Sequence, residues 1–193
     1  MRAILLAGFA GQRQQQRRWC WAAACASIRD YYRTLDPTLP VLHQAQIVDA
    51  QFGRCDCGRH PASIYCDQDG RLDHALQAAR HDGSFVPPGH KFAMCREEID
   101  AGRPVAVRVR TAENTQHFVV IYGYAPNLGL LAWDPASGTV RTNLNDWRSR
   151  IGSWENTYRT VPRRRGGTTR RGTERGARCE GDAARRGAAR PVP

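Results

Sequence analysis

Apolar positions recur with a helical period from Trp19 to Leu35, where Cys20, Ala24, Ile28 and Tyr31 fall on one face. The stretch is rich in alanine, lacks Gly and Pro, and stops before Asp36-Pro37, so it predicts a helix with one apolar face turned inward. Leu42–Phe52 predicts a second helix, ended by Gly53, and Arg71–His81 a third, closed by Asp82-Gly83. A short fourth helix is expected over Arg96–Ala101, before Gly102. Between the second and third helices, residues 54–70 read as a loop carrying Cys55, Cys57 and Cys66.

The pattern then changes period. Pro104–Arg110 alternates as a half-buried strand does, His117–Tyr124 is rich in β-formers, and Leu128–Asp134 is a third such run. Asp134-Pro135 and Ser137-Gly138 supply the turn that follows. Thr139–Thr142 and Thr157–Val161 predict further strands, with a short helix near Leu144–Ile151 between them. Helices first and antiparallel strands afterwards make an α+β protein, not a doubly wound sheet.

The chain's 193 residues allow one ordinary domain with an appendage. No stretch is long and apolar enough for a transmembrane helix. The formal charge of +11 is unevenly placed. Residues 163–193 hold ten arginines against Glu174, Glu180 and Asp182, a formal +7, which leaves +4 for the first 162 residues. A body so near neutrality gives no basis for a nucleic-acid role. The tail has no aromatic residue and one large aliphatic, Val192, so it is expected to be disordered. Any contact with nucleic acid would fall to this basic tail, which lacks aromatic side chains for base stacking. Lys91 is the only lysine among 29 basic residues, a coding bias that discounts arguments from arginine. Residues 1–11 fit either a first strand or the remnant of a leader. Neither GxGxxG nor GxxxxGK[ST] occurs, so nucleotide binding has no motif behind it, and no cofactor or metal is expected.

Cys20 opens the strongest predicted helix, where free backbone N–H groups favour a thiolate. Gln12, Gln14, Gln15 and Gln16 precede it, and a side-chain amide there, with the Cys20 N–H, could hold an oxyanion. His117 begins an apolar strand at a junction of loop and sheet. Asp134 ends the next strand. If the two strands pair as a hairpin, Asp134 can orient the His117 ring, which completes a nucleophile, base and orienting group. The other readings of these residues are a buried structural thiol for Cys20 and a turn-forming role for Asp134.

The segments QQQRRWCWAAACASIRDYY (14–32), AGRPVAVRVR (101–110), QHFVVIYGY (116–124) and LLAWDPASG (130–138) together resemble the papain superfamily of cysteine peptidases. They are most similar to small bacterial branches, which include effector proteases and the peptidases of bacteriocin leaders. The resemblance spans roughly residues 12–162. It implies a helical half carrying the nucleophile, an antiparallel, barrel-like half carrying the base, and a cleft between them. It also implies Cys20 as nucleophile, His117 as base, Asp134 as orienting residue and Gln14, six residues before Cys20, as the oxyanion donor. Gln15 and Gln16 are alternatives in a shifted register. Arg17-Arg18-Trp19 departs from the Cys-Gly-Ser or Cys-Gly-Ala of plant papain, and Asp134 stands where papain has Asn. The implied reaction is hydrolysis of a peptide or protein substrate at an amide bond. Transglutaminase-like acyl transfer on the same residues, and an inactive papain-like binding domain, are the alternatives.

Cys55, Cys57, Cys66 and Cys95 could form two disulfides or ligate one zinc ion, but Cys-x-Cys is not the common zinc spacing. Cys20 and Cys25 do not share a helical face, so a bond between them is not expected. The resemblance implies disulfides in the helical half, which Cys25 could join, and therefore a secreted or periplasmic protein. Cys179, in the tail, is expected to be a free thiol.

Overall fold

The protein is described by a computed structural model covering residues 3–86, 91–125 and 129–163. The expected disordered tail beyond Arg163, with Cys179, lies outside the described residues. A short strand β1 (Ile4–Leu5) is followed by helices α1 (Cys20–Leu35), α2 (Gln44–Phe52) and α3 (Leu72–Ala78). Then come β2 (Asp82–Val86), α4 (Lys91–Asp100), β3 (Val105–Arg110), β4 (Gln116–Ala125), β5 (Gly129–Asp134) and β6 (Gly138–Asn143). A single turn of helix, α5 (Trp147–Arg150), leads into β7 (Ser153–Thr160).

Helix α1 is the hub. Residues Cys20 to Arg29 are all buried, so the helix is enclosed on every side rather than amphipathic as its period suggested. Its alanines make this possible, because small side chains let α2, α3 and β4 close on it from different directions. Tyr32 and Asp36 close it, the Asp36 N–H bonding Tyr32 O at 2.9 Å before Pro37. Gly53 ends α2 in the left-handed conformation with φ 62°, which glycine adopts without Cβ strain.

All strands pair antiparallel in one sheet ordered β2-β7-β3-β4-β5-β6, with β1 beside the far end of β4. Val105, Ala106 and Val107 are buried in succession, as are Phe118 to Ile121, so the centre of the sheet is covered on both faces. Among the described residues the sheet stays open at β2 and β6 and does not close into the expected barrel-like half. Ile4 and Leu5 fit against Gly123, where a Cβ would come 2.5 Å from Leu5.

Several boundaries differ from the sequence pattern. Asp82-Gly83 does not merely end α3, but starts β2, which pairs with β7 from Asp82↔Thr160 to Val86↔Thr157. Helix α4 begins at Lys91 rather than Arg96, and β7 begins at Ser153 rather than Thr157. His81 leaves the third helix and is buried against Tyr32, ring centroids 4.6 Å apart. Only one disulfide forms among the described residues, Cys57–Cys66. Cys25 and Cys95 are buried free thiols and Cys55 is an exposed one, so the expected second bridge is absent. The nearest thing to a metal cluster among the described residues is Asp56, Cys57 and Cys66, and its two sulfurs are bonded to each other.

Candidate active site

Cys20 is the first residue of α1 and is 5% exposed. A first-turn N–H has no acceptor within its own helix, so the Cys20 N–H is available to a ligand. The segment leading to it is pinned by the buried side chain of Gln44 on α2. Gln44 Nε2 donates to Arg13 O at 2.7 Å and to Gln12 Oε1 at 3.0 Å, while Gln44 Oε1 accepts from the Gln15 N–H at 3.0 Å. The same segment lies along the turn after β5, where the Gln14 N–H donates to Pro135 O at 3.0 Å and Trp133 Nε1 donates to Gln12 O at 2.9 Å. Helical half and sheet are thereby joined within a few residues of Cys20.

The hairpin of β4 and β5 brings His117 and Asp134 together. His117 Nε2 lies 2.7 Å from Asp134 Oδ1, and both side chains are largely buried, 15% and 16% exposed. Asp134 also accepts from the Ala136 N–H at 2.8 Å and from Ser137 Oγ at 2.7 Å. The turn-forming and ring-holding roles of Asp134 are therefore compatible: its two oxygens serve both. Burial disfavours the charged imidazole, but hydrogen bonds and charge from Asp134 and Cys20 outweigh it and raise the His117 pKa to about 10. Burial likewise opposes the Asp134 carboxylate, and the His117, Ser137 and Ala136 bonds overcome it, bringing the pKa down to about 2. Because Nε2 is taken by Asp134, Nδ1 is the ring nitrogen left for the Cys20 sulfur.

Cys20 and His117 line one cavity of about 610 Å³, with Arg17, Arg18, Asp69 and Arg110 around them. A second cavity, about 580 Å³, shares Gln116 with the first and runs between α3 and the sheet past Leu72, Phe118 and Tyr158. The two cavities adjoin at Gln116, and the cleft that holds Cys20 and His117 is the first of them. The two other buried free thiols among the described residues do not compete for this chemistry. Burial pushes both Cys25 and Cys95 up to about 12, and neither lines the cleft.

Gln14 is placed differently from the other three residues. Its Nε2 donates to Gln16 O at 3.0 Å and to Arg17 O at 2.7 Å, and its Oε1 is buried without a partner. The amide thus faces the carbonyls of its own loop, and Gln14 does not line the cavity. Gln15 is tied through its backbone to Gln44, and Gln16 offers only its carbonyl to Gln14. Sequence reading passed over Gln44, Ser137 and Asp67, which hold this region in place. The Asp-Pro-x-Ser spacing could have revealed Ser137 as a partner of Asp134. Nothing local marks Gln44 or Asp67, whose partners are 29 and 49 residues away.

One solved structure shares this architecture. The cysteine protease CMS1MS2 of Carica candamarcensis, solved in complex with E-64, superposes with a TM-score of 0.56 at 15% identity, covering 84% of this chain and 99% of its own. A double glycine motif protease from an AMS/PCAT transporter, solved with a leader peptide, gives a TM-score of 0.44 at 17% identity over 83% of this chain and 100% of its own. The Pseudomonas avirulence protein AvrPphB gives 0.37 at 10% identity over 81% of this chain and 99% of its own. No curated protein sequence matches the chain. Residues 7–162 match the model of the Peptidase_C39 like family. That match spans most of the chain, and the protein therefore belongs to the Peptidase_C39 like family, with the fold of the cysteine protease CMS1MS2.

Proposed function

We propose that the protein hydrolyses peptide bonds through Cys20, His117 and Asp134. The observation that carries this is the placement of His117, with Asp134 on Nε2 and Cys20 lining the same cavity. His117 holds its proton near neutral pH, which leaves the sulfur as the attacking group. The Cys20 sulfur adds to the substrate carbonyl carbon, and the carbonyl oxygen gains the negative charge. The Cys20 N–H at the head of α1 stabilises that oxygen, with the Gln14 amide joining it by giving up one loop carbonyl. His117 then passes its proton to the departing amine nitrogen, the C–N bond breaks, and a thioester remains on Cys20. The neutral ring next takes a proton from water, whose oxygen attacks the thioester, releasing the acid and restoring the thiolate–imidazolium pair.

Substrate in this scheme is an extended peptide or protein segment lying across the two cavities that Gln116 lines in common. The Cys57–Cys66 disulfide supports a secreted or periplasmic site of action. No helix among the described residues is long and apolar enough to cross a membrane.

Cleavage of a peptide library, with Cys20→Ala as control, tests the reaction. The expected result is defined cleavage products that disappear in the control. An epoxide inhibitor of cysteine peptidases should label Cys20 stoichiometrically and fail to label it in His117→Ala. Equal labelling of several cysteines, or intact peptides throughout, would show that the cleft is a binding site only.

A further inference from the structure

Helix α1 starts without a cap of its own. Trp19 precedes it with φ −96° and ψ 18°, no side chain caps the helix start, and no acidic residue occupies the first turn. An uncapped start frays unless something outside the helix holds it. Here the hold comes from residues 66–68. Cys66 O accepts from Trp19 Nε1 at 2.8 Å, Asp67 Oδ1 accepts from the Arg18 N–H at 2.9 Å, and Gln68 O accepts from Trp21 Nε1 at 3.2 Å. These donors belong to the two residues before Cys20 and the one after it. Gly70 seals the contact: a Cβ there would stand 2.2 Å from the Trp21 ring.

The gripping segment is itself anchored through sulfur. Cys66 is bonded to Cys57, nine residues earlier, and both are fully buried. The Cys57 N–H donates to Asp49 Oδ1 on α2 at 3.0 Å. A path of one ion-dipole bond, one disulfide and three hydrogen bonds thus runs from α2 to the turn that carries Cys20.

We propose that the disulfide-closed segment 57–68 positions the Cys20 sulfur against His117, so that activity requires one oxidised cysteine pair beside one reduced thiol; this presupposes the Cys20 chemistry proposed above. Asp67, Trp19 and the Cys57–Cys66 bond are positioning groups that do not touch the substrate. Reduction by a dithiol transfers two electrons and two protons to the bond, giving two thiols and a cyclic disulfide of the reagent. The segment then regains the freedom its closure removed, and the turn at Cys20 loosens. Displacements on the order of 1 Å at a reacting atom can cost ~100-fold in rate.

The test uses the full chain, a peptide that the wild type cleaves, and the rate of Cys20 alkylation by iodoacetamide read by mass mapping. Asp67→Ala is expected to lower kcat and the alkylation rate about tenfold, an effect within the range for a misplaced reacting group, with KM little changed. Asp67→Asn, which still presents an acceptor to the Arg18 N–H, should restore both. Trp19→Phe should behave like Asp67→Ala. Dithiothreitol should abolish cleavage in step with the appearance of thiols at Cys57 and Cys66, and Cys57→Ala/Cys66→Ala should match the reduced protein. If the double variant does not melt cooperatively, the Asp67 and Trp19 variants decide. Wild-type kcat and alkylation in both, or equal losses in the Asn and Ala variants at 67, would overturn the proposal. A wild type that cleaves nothing and whose Cys20 resists alkylation would instead remove the nucleophile, and the positioning role with it.

Discussion

Asp134 faces His117 because β4 carries a bulge at Tyr122. Beyond the bulge the register pairs Gly123 with Leu131 and Tyr124 with Leu130; before it, Ile121 pairs with Ala132 and Val120 with Trp133. Continued to the end of β5, the latter register sets Asp134 opposite Val119, on the face of the sheet that His117 shares. Without the extra residue Asp134 would stand opposite Val120 and point to the other face, since a one-residue slip inverts every side chain. The 2.7 Å approach of His117 Nε2 to Asp134 Oδ1 thus depends on one inserted residue.

Asp134→Asn keeps an oxygen for the ring but removes the charge that holds its proton. The His117 pKa, raised to about 10 in the protein, should fall toward its ordinary value. The alkaline limb of the kcat/KM profile should move down with it, and a pH–rate series on the two proteins measures the shift. An unmoved alkaline limb would show that another group sets it. His117→Ala should cost about 10²–10⁴-fold in kcat, the usual worth of a general acid–base group.

The same pair should shape stability against pH. His117 has a raised pKa, so its contribution is complete below the ordinary value of 6.5 and is lost as pH rises through about 10. Asp134 has a depressed pKa, so its contribution is complete above 3.8 and is lost as pH falls toward about 2. Thermal melts across pH should therefore show the difference between wild type and His117→Ala shrinking at alkaline pH. A constant difference would argue against the coupling.

His81 should make the protein acid-sensitive. It is fully buried, Nε2 meets Arg29 Nη1 at 3.1 Å, and Nδ1 meets Val161 O at 3.0 Å. Burial first, with the Arg29 charge adding to it against the Val161 bond, lowers its pKa to about 4. The unfolded chain binds a proton near 6.5 that the folded chain refuses, so stability should decline as pH falls from about 6.5 to about 4. His81→Gln should flatten that decline in urea titrations, whatever its cost at neutral pH.

Gly11→Ala tests the joint between the two halves. A Cβ at Gly11 would lie 2.1 Å from the Trp133 ring, whose Nε1 is held by Gln12 O. Overpacking of this kind typically costs about 1–3 kcal/mol. Denaturant unfolding should report that loss, and kcat should fall as well, because segment 11–14 leads directly to Cys20.

Alkylation of the native protein should separate the thiols. Cys20 in the cleft and exposed Cys55 should react with iodoacetamide at neutral pH, whereas Cys25 and Cys95, buried and pushed up to about 12, should react only after unfolding. Peptide mass mapping distinguishes these sites.

Much of the architecture was legible in the chain. The alanine-rich period marks α1 within one residue of its observed start, and the apolar runs locate β3, β4 and β5 because central strands and helices are dictated by local patterning. Strand β2 was missed because Asp82-Gly83-Ser84 reads as a turn, and it becomes a strand only by pairing with β7, more than seventy residues later. The cysteines were legible as a group, yet not as pairs. Which sulfurs meet depends on loop closure, and here that leaves Cys55 and Cys95 single.

The sequence by itself determined an α+β chain with a cysteine at the head of its strongest helix and a histidine and an aspartate at facing ends of successive strands. Those features are local: they need only side-chain periodicity, a helix start and a turn. Tertiary structure alone decided which face Asp134 occupies, where the Gln14 amide points, and that residues 66–68 grip the turn at Cys20. Each of these rests on a register or a contact between residues far apart in the chain, whose energy exists only once the sheet and helices have closed on one another.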